Sequence, residues 1–177
     1  YAQLVGDSHI PTTLPTLERC HQPPPAEPNA YSDGSRTIPE DPRWGLAAFG
    51  AWHEGRSLID HPISEAEQQV LQCAVESNPN DDSPGKNGVA TWGTIGGLNC
   101  SSTRAEIGGG IAALLRPGPV HIAADNRAFI RKANGIKEGY NYTKSKKWPF
   151  HKDGDLWAIF AKALSEEGNN AVDFSWV

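Results

Sequence analysis

The sequence predicts an α/β fold in which a mixed five-stranded sheet is flanked by helices. Two observations support this prediction. Apolar runs of strand length come early in the chain, and strands then alternate with amphipathic helices towards the end. Strands followed by such an alternation are typical of a mixed sheet covered by helices.

Five segments have the length and composition of strands. Most are short apolar runs, and the last one alternates apolar with polar residues. We expect the first strand to end at the Asp33-Gly34 turn and the fourth to end at Asp125. The five strands are predicted at residues 30–32, 44–52, 89–98, 120–124 and 172–176.

Helical periodicity predicts four helices between these strands. The first opens with a Ser-x-x-Glu capping box at Ser64 and Glu67. The second ends before Pro117, and Asp153 is expected to cap the fourth. The helices are predicted at residues 64–77, from about 103 to 116, at 126–133 and from about 153 to 164.

The 177 residues suit one globular domain with some additional length. Residues 1–29 include three consecutive prolines and little apolar periodicity, which predicts a Pro-rich linker before a domain at 30–177. The sequence contains no Met and starts at Tyr1, so we expect it to be a piece of a longer protein.

Composition excludes some functional classes and suggests a contact with nucleic acid. No apolar run reaches the roughly 18 residues of a membrane span, so no membrane partner is expected. Three cysteines without a CxxC pair favour a reducing, intracellular setting, in the nucleus or the cytoplasm. The net charge is −5, but residues 127–152 hold eight Lys or Arg against Glu138 alone. This basic stretch is a candidate contact for phosphates.

Three acids form a candidate metal site: Asp33, Glu106 and Asp125. Asp33 and Asp125 follow predicted strands, whose carboxyl ends form the usual ligand crevice of an α/β sheet. Carboxylate oxygens suit Mg²⁺, and paired ions can promote phosphoryl transfer. Each acid also has a structural alternative: Asp33-Gly34 as a turn, Glu106 in a capping box with Thr103, and Asp125 as a helix N-cap.

Five collinear segments together resemble the type 1 ribonuclease H family of cells and retroelements. Residues 32–35 (Ser-Asp-Gly-Ser) are similar to its first-strand signature, and 101–106 (Ser-Ser-Thr-Arg-Ala-Glu) to its Arg-x-Glu helix. Residues 120–126 end in Asp-Asn like its central strand, 155–157 are Asp-Leu-Trp, and 172–177 resemble its last strand. The resemblance covers nearly the whole predicted domain and implies a ribonuclease H-like fold.

The resemblance also implies roles for individual residues. Asp33, Glu106 and Asp125 would be the catalytic carboxylates and would hold Mg²⁺ or Mn²⁺, as two ions. Two further groups of residues would bind an RNA–DNA hybrid. The minor groove would be contacted by Ser102, Thr103 and Arg104. The DNA strand would be contacted by Lys144, Lys146, Lys147 and Trp148.

The sequence departs from the family in three places. The fourth carboxylate of the family and the His before it would follow Val177, so we expect the domain to be C-terminally incomplete, with its last helix missing. Gly108-Gly109-Gly110 either loosens the helix that carries Glu106 or lets it pack closely on the sheet. An insertion at about 59–88 has no assigned role.

Three functions are left open by the sequence. The first is a metal-dependent endonuclease that hydrolyses the RNA strand of RNA–DNA hybrids, with this fragment alone inactive or impaired. The second is a catalytically impaired, nucleic-acid-binding domain with the same fold. The third is another nuclease or integrase. A covalently linked upstream domain, such as a reverse transcriptase in a retroelement polyprotein, is the expected partner by analogy with domain order.

Overall fold

The computed structural model describes residues 14–37, 46–77, 87–95, 101–144 and 146–177. Six strands among them form a single sheet in the order β3-β4-β2-β1-β5-β6. The pairs β1–β5 and β5–β6 are parallel, and the other neighbours are antiparallel. The strands are β1 (Ala30–Thr37), β2 (Leu46–Glu54), β3 (Cys73–Glu76), β4 (Gly88–Ile95), β5 (Val120–Ala124) and β6 (Val172–Trp176).

Four α-helices and one 3₁₀ turn accompany the sheet in the described part of the chain. None of these helices has both the length and the apolar character needed to cross a membrane. The helices are α1 (Glu65–Val70), α2 (Ser102–Leu114), α3 (Arg127–Lys137) and α4 (Gly154–Glu167), and the 3₁₀ turn is Trp148–Phe150.

The core lies between one face of the sheet and helix α2, which packs on β1 and β2 and contacts α4 on its other side. Alternate residues of β2 point into this core. Phe49 and Ala51 are buried, while the next residue, Trp52, is only half-buried. The period of two in burial follows from the alternating side-chain directions of a strand. The opposite face of the central strands is therefore the less covered one.

The glycine run of α2 explains how closely this helix approaches the sheet. A Cβ atom at Gly109 would lie 3.0 Å from the carbonyl oxygen of Gly50 and 3.2 Å from that of Asp33. At Gly110 it would lie 2.8 Å from a ring carbon of Phe129. The helix remains continuous through all three glycines, so the structure favours close packing over a loosened helix.

The sheet corrects two predictions, since it has six strands rather than five and the first helix is shorter than 64–77. The capping box of Ser64 and Glu67 is present, but α1 ends at Val70. Cys73–Glu76 is the additional strand, and it pairs with β4. The local pattern at this segment is helical, but hydrogen bonds to β4 satisfy its backbone instead, so the segment is a strand.

A buried ion pair anchors the insertion predicted at about 59–88, which contains α1 and β3. Arg56 and Glu67 are 2% and 0% exposed, and the two guanidinium–carboxylate hydrogen bonds measure 2.5 and 2.9 Å. The Ser64 hydroxyl also donates to the carbonyl of Leu115, just after α2. The insertion therefore braces the end of α2 that lies far from Glu106.

The described part of the predicted linker, residues 14–29, has no helix or strand and lies against the domain. Leu14 is buried, and the backbone N–H of Cys20 donates to the carbonyl of Glu167 at the end of α4. The Pro25 carbonyl lies 3.1 Å from Nδ1 of His121 on β5. The division of the chain at residue 29 stays a prediction.

Candidate metal centre

The three predicted acids come together in the structure. A carboxylate oxygen from each of Asp33, Glu106 and Asp125 lies within 4.8 Å of the other two. Oxygen ligands on opposite sides of a Mg²⁺ ion are about 4 Å apart, so this spacing is close to that of a shared ion. The side chains of Asp33 and Asp125 are exposed, whereas Glu106 is buried.

The backbone explains the convergence and overturns the structural alternatives. Asp33 lies inside β1, which continues to Thr37, so the predicted turn at Asp33-Gly34 is wrong. Ser101, not Thr103, caps α2, and its hydroxyl accepts from the Arg104 N–H. Asn126, not Asp125, caps α3 through the Phe129 N–H. None of the three acids is occupied by the structural role considered for it.

Gly34 allows the helix carrying Glu106 to approach β1. A Cβ atom at this position would lie 2.5 Å from the backbone nitrogen of Glu106 and 2.6 Å from the carbonyl carbon of Ala105. Contacts this short with backbone atoms leave room for glycine only. The Asp-Gly pair therefore supplies one carboxylate of the cluster and the space that brings the second carboxylate close to it.

The electrostatics of the cluster are those of three carboxylates held close together. Burial, and then the negative charges of Asp33 and Asp125, raise the pKa of Glu106 to about 7, while a hydrogen bond from the Gly34 backbone opposes this rise. Its Oε2 atom is buried and has no hydrogen-bond partner within the described residues. A buried carboxylate oxygen facing two further carboxylates fits a divalent cation, whose binding would compensate all three charges.

The predicted minor-groove residues lie at the start of α2, beside Glu106. Arg104 makes two hydrogen bonds of 2.8 and 2.6 Å to Asp155 at the start of α4, and its guanidinium lies 3.7 Å from Asp153. The bond to Arg104 is the main reason that the pKa of Asp155 is lowered. Ser102 is exposed and Thr103 half-buried. Their contact with nucleic acid stays a prediction, and so does that of Arg104.

Sequence reasoning missed the partners of Arg104. Asp153 was expected to cap α4 through its side chain, but it makes no side-chain cap hydrogen bond and adopts φ of 53°. Its carboxylate instead accepts a hydrogen bond from the hydroxyl of Ser101, 3.0 Å away. These contacts tie the N-terminal ends of α2 and α4 together. The Asp-Leu-Trp segment at residues 155–157 was the available signal, but no partner could be assigned to it.

The predicted basic contact consists of exposed lysines next to a half-buried tryptophan. Lys144, Lys146 and Lys147 are exposed, while Trp148 is half-buried. The ammonium group of Lys132 lies 5.1 Å from the ring centroid of Trp148 and 4.3 Å from that of Trp157 on α4. Cation–π contacts of this kind hold the basic stretch against the body of the domain.

Solved structures share this arrangement of strands and helices. The foamy viral protease-reverse transcriptase in complex with dsDNA aligns with a TM-score of 0.52 and 15% identity, covering 84% of this chain and 79% of that one. The fold is ribonuclease H-like. The fold class predicted from the sequence is thus confirmed, with the extra strand β3 as the difference.

Two further solved structures align with the ribonuclease H-like chain. The foamy viral protease-reverse transcriptase in complex with RNA/DNA hybrid has a TM-score of 0.50 and 15% identity, with 94% of this chain and 18% of that one covered. The solution structure of the PFV RNase H domain has a TM-score of 0.47 and 20% identity, over 82% and 76%. No protein-family model and no curated protein matches the sequence.

Proposed function

We propose that this ribonuclease H-like chain is an endonuclease that hydrolyses the RNA strand of RNA–DNA hybrids with Mg²⁺ or Mn²⁺. The observation that carries the proposal is the convergence of Asp33, Glu106 and Asp125 within 4.8 Å. The orphaned oxygen of Glu106 supports it, because this buried group lacks the positive partner that buried charges normally have.

The three carboxylates would hold two cations, which when bound activate water and stabilise the charge that develops on a phosphodiester. Exposed Asp33 and Asp125 face solvent and can receive a cation, while buried Glu106 closes the inner side of the site. Because its pKa is raised to about 7, Glu106 must release a proton to act as a ligand near neutral pH. Cation binding is therefore expected to weaken as pH falls below about 7.

The proposed substrate follows from the neighbouring residues. One structurally similar protein was solved with RNA/DNA hybrid, and extending that substrate to this chain is part of the proposal. Ser102 and Thr103 stand at the start of the helix that carries Glu106, where hydroxyl groups can contact the 2′-hydroxyls of an RNA strand. Exposed Lys144, Lys146 and Lys147 would contact phosphates of the DNA strand.

A covalently linked reverse transcriptase domain upstream is the proposed partner. The structurally similar foamy viral protein is a protease-reverse transcriptase, of whose chain the alignment covers 18%. The reading frame upstream of the codon for Tyr1 tests this part of the proposal. A frame that encodes no polymerase domain there would contradict it.

Cleavage of a labelled hybrid by the full-length protein tests the activity, since this fragment alone is expected to be inactive or impaired. We expect metal-dependent cutting of the RNA strand, none of duplex DNA, and loss of cutting in Asp33→Asn and Asp125→Asn. Asp173→Asn is the matched control, because Asp173 pairs with Lys137 and lies outside the cluster. Equal activity of Asp33→Asn and the wild type would overturn the proposal. Binding of the hybrid without metal-dependent cleavage would favour the alternative, a catalytically impaired nucleic-acid-binding domain.

A further inference from the structure

The backbone of Asp125 is held by a side chain from the neighbouring strand. The ladder between β5 and β6 ends at the pair Ala124 and Trp176, after which the Val177 N–H donates to the Ala124 carbonyl over 3.2 Å. The next carbonyl, that of Asp125, accepts from the indole Nε1–H of Trp176 over 3.0 Å. The Asp125 carbonyl, just beyond the end of this ladder, thus receives its hydrogen bond from a side chain of β6.

The orientation of the indole is itself fixed. The guanidinium carbon of Arg127 lies 3.9 Å from the Trp176 ring centroid, on a helix that begins two residues after Asp125. Indole has a single N–H donor and a rigid ring, so a clamped ring face determines where that donor points. Stacking on Arg127 therefore directs the N–H towards Asp125.

Burial does not account for this tryptophan. Val172 and Phe174 on the same strand are 0% and 5% exposed, whereas Trp176 is 51% exposed. About half of its surface contributes nothing to the core, while its polar atom is engaged beside the acidic cluster. Asp125 is also exposed, so burial does not hold its carboxylate in place.

We infer that Trp176 is a positioning residue, which orients Asp125 for divalent-cation binding through the bond from its indole N–H to the Asp125 carbonyl. The inference rests on the proposed function, because it requires a cation at the cluster of Asp33, Glu106 and Asp125. Residues that orient metal ligands typically change metal affinity by about 10- to 100-fold when they are replaced. The geometry here acts through the backbone of the ligand, so we expect the lower end of that range.

Calorimetric titration of the whole chain with Mn²⁺ tests the inference. Trp176→Phe keeps a ring for Arg127 to stack on but loses the N–H, and we expect its affinity to fall about 10-fold. Trp176→Ala should fall at least as far. Tyr140→Ala is the control, because Tyr140 is 68% exposed, follows the end of α3 that is remote from Asp125 and has its ring against Tyr142. Its affinity should equal that of the wild type.

The outcomes separate the inference from the function on which it rests. No Mn²⁺ binding by the wild type, or unchanged binding by Asp125→Asn, would contradict the proposed metal site itself. Normal wild-type binding, loss in Asp125→Asn and wild-type affinity in Trp176→Phe would overturn the inference alone. An equal loss in Tyr140→Ala would also overturn it. Circular dichroism establishes that each variant is folded, and Trp176→Phe decides the question if Trp176→Ala does not fold.

Discussion

Two buried glutamates in this domain have opposite surroundings. Glu67 is 0% exposed and receives two hydrogen bonds from Arg56, so its charge is balanced inside the protein. Glu106 is 5% exposed and faces the carboxylates of Asp33 and Asp125, with no basic side chain among the groups that shift its pKa. The first arrangement holds an insertion in place, and the second leaves a charge to be balanced from outside. In Glu106 the uncompensated carboxylate coincides with the proposed cation site.

Replacing Glu67 should have the largest effect on stability. Glu67→Ala leaves the Arg56 guanidinium buried without its partner and removes the capping box of α1. Losing one partner of a buried ion pair typically destabilises a protein by about 3–5 kcal/mol. Urea denaturation should show this loss with no change in Mn²⁺ stoichiometry. A loss below about 1 kcal/mol would mean that the pair contributes no more than a surface ion pair.

Replacing Glu106 should stabilise the metal-free protein, whereas replacing Glu67 should destabilise it. Glu106→Gln removes a carboxylate whose pKa is raised to about 7, so the metal-free variant should be more stable than the wild type above that pH, by up to about 3 kcal/mol. It should also lose the stabilisation that Mn²⁺ gives the wild type. Urea denaturation with and without Mn²⁺ measures both effects. Lower stability of the metal-free variant would show that Glu106 is compensated within the protein.

The stability of the metal-free protein should also depend on pH, because of its buried glutamates. Burial also raises the pKa of Glu167 to about 7, so the native state binds more protons than the unfolded state between about 4.5 and 7. Stability should therefore fall as pH rises through this window and level off above it. The pKa of buried His53 is lowered to about 3, which opposes part of this fall below about pH 6.5, because the unfolded state takes up a proton there that the native state does not. Glu106→Gln should reduce the fall, and Glu106→Gln with Glu167→Gln should reverse it. A double variant whose stability still falls as pH rises would contradict both raised pKa values.

A smaller effect on stability is expected at Gly34. Gly34→Ala places a methyl group against the backbone of Ala105 and Glu106, and overpacking of this kind destabilises by about 1–3 kcal/mol. Because α2 must move away from β1, Mn²⁺ affinity should fall as well. Gly50→Ala is the control, since a Cβ there meets only a carbonyl oxygen at 3.7 Å. Equal affinities of the two variants would show that the separation of β1 and α2 is not critical.

Much of the fold could be predicted because its signals are local. The apolar run of β5 and the capping box at Ser64 each depend on residues adjacent in the sequence, and both are confirmed. Strand β3 could not be predicted, because the sequence around Cys73 has helical periodicity and only the hydrogen bonds with β4 make it a strand. The interior position of Asp33 in β1 was missed for the same reason, since its partner Gly50 comes later in the chain.

In the candidate site, too, local features could be predicted and contacts between distant residues could not. The three acids could be named from collinear motifs, because each motif holds one ligand and its immediate neighbours. The contacts around them join distant parts of the chain: Arg104 bonds to Asp155, and Trp176 donates to the carbonyl of Asp125. Such pairs leave no periodic signal in a single sequence. They required the strand order and the packing of α2 against α4.

The half-exposed indole beside Asp125 should also report cation binding through its intrinsic fluorescence. Cation binding changes the charge within a few bonds of the Trp176 ring, so intrinsic fluorescence should respond to it without any label. Paramagnetic Mn²⁺ should quench that emission more strongly than Mg²⁺ does. The difference spectrum between the wild type and Trp176→Phe would isolate this signal from the other five tryptophans.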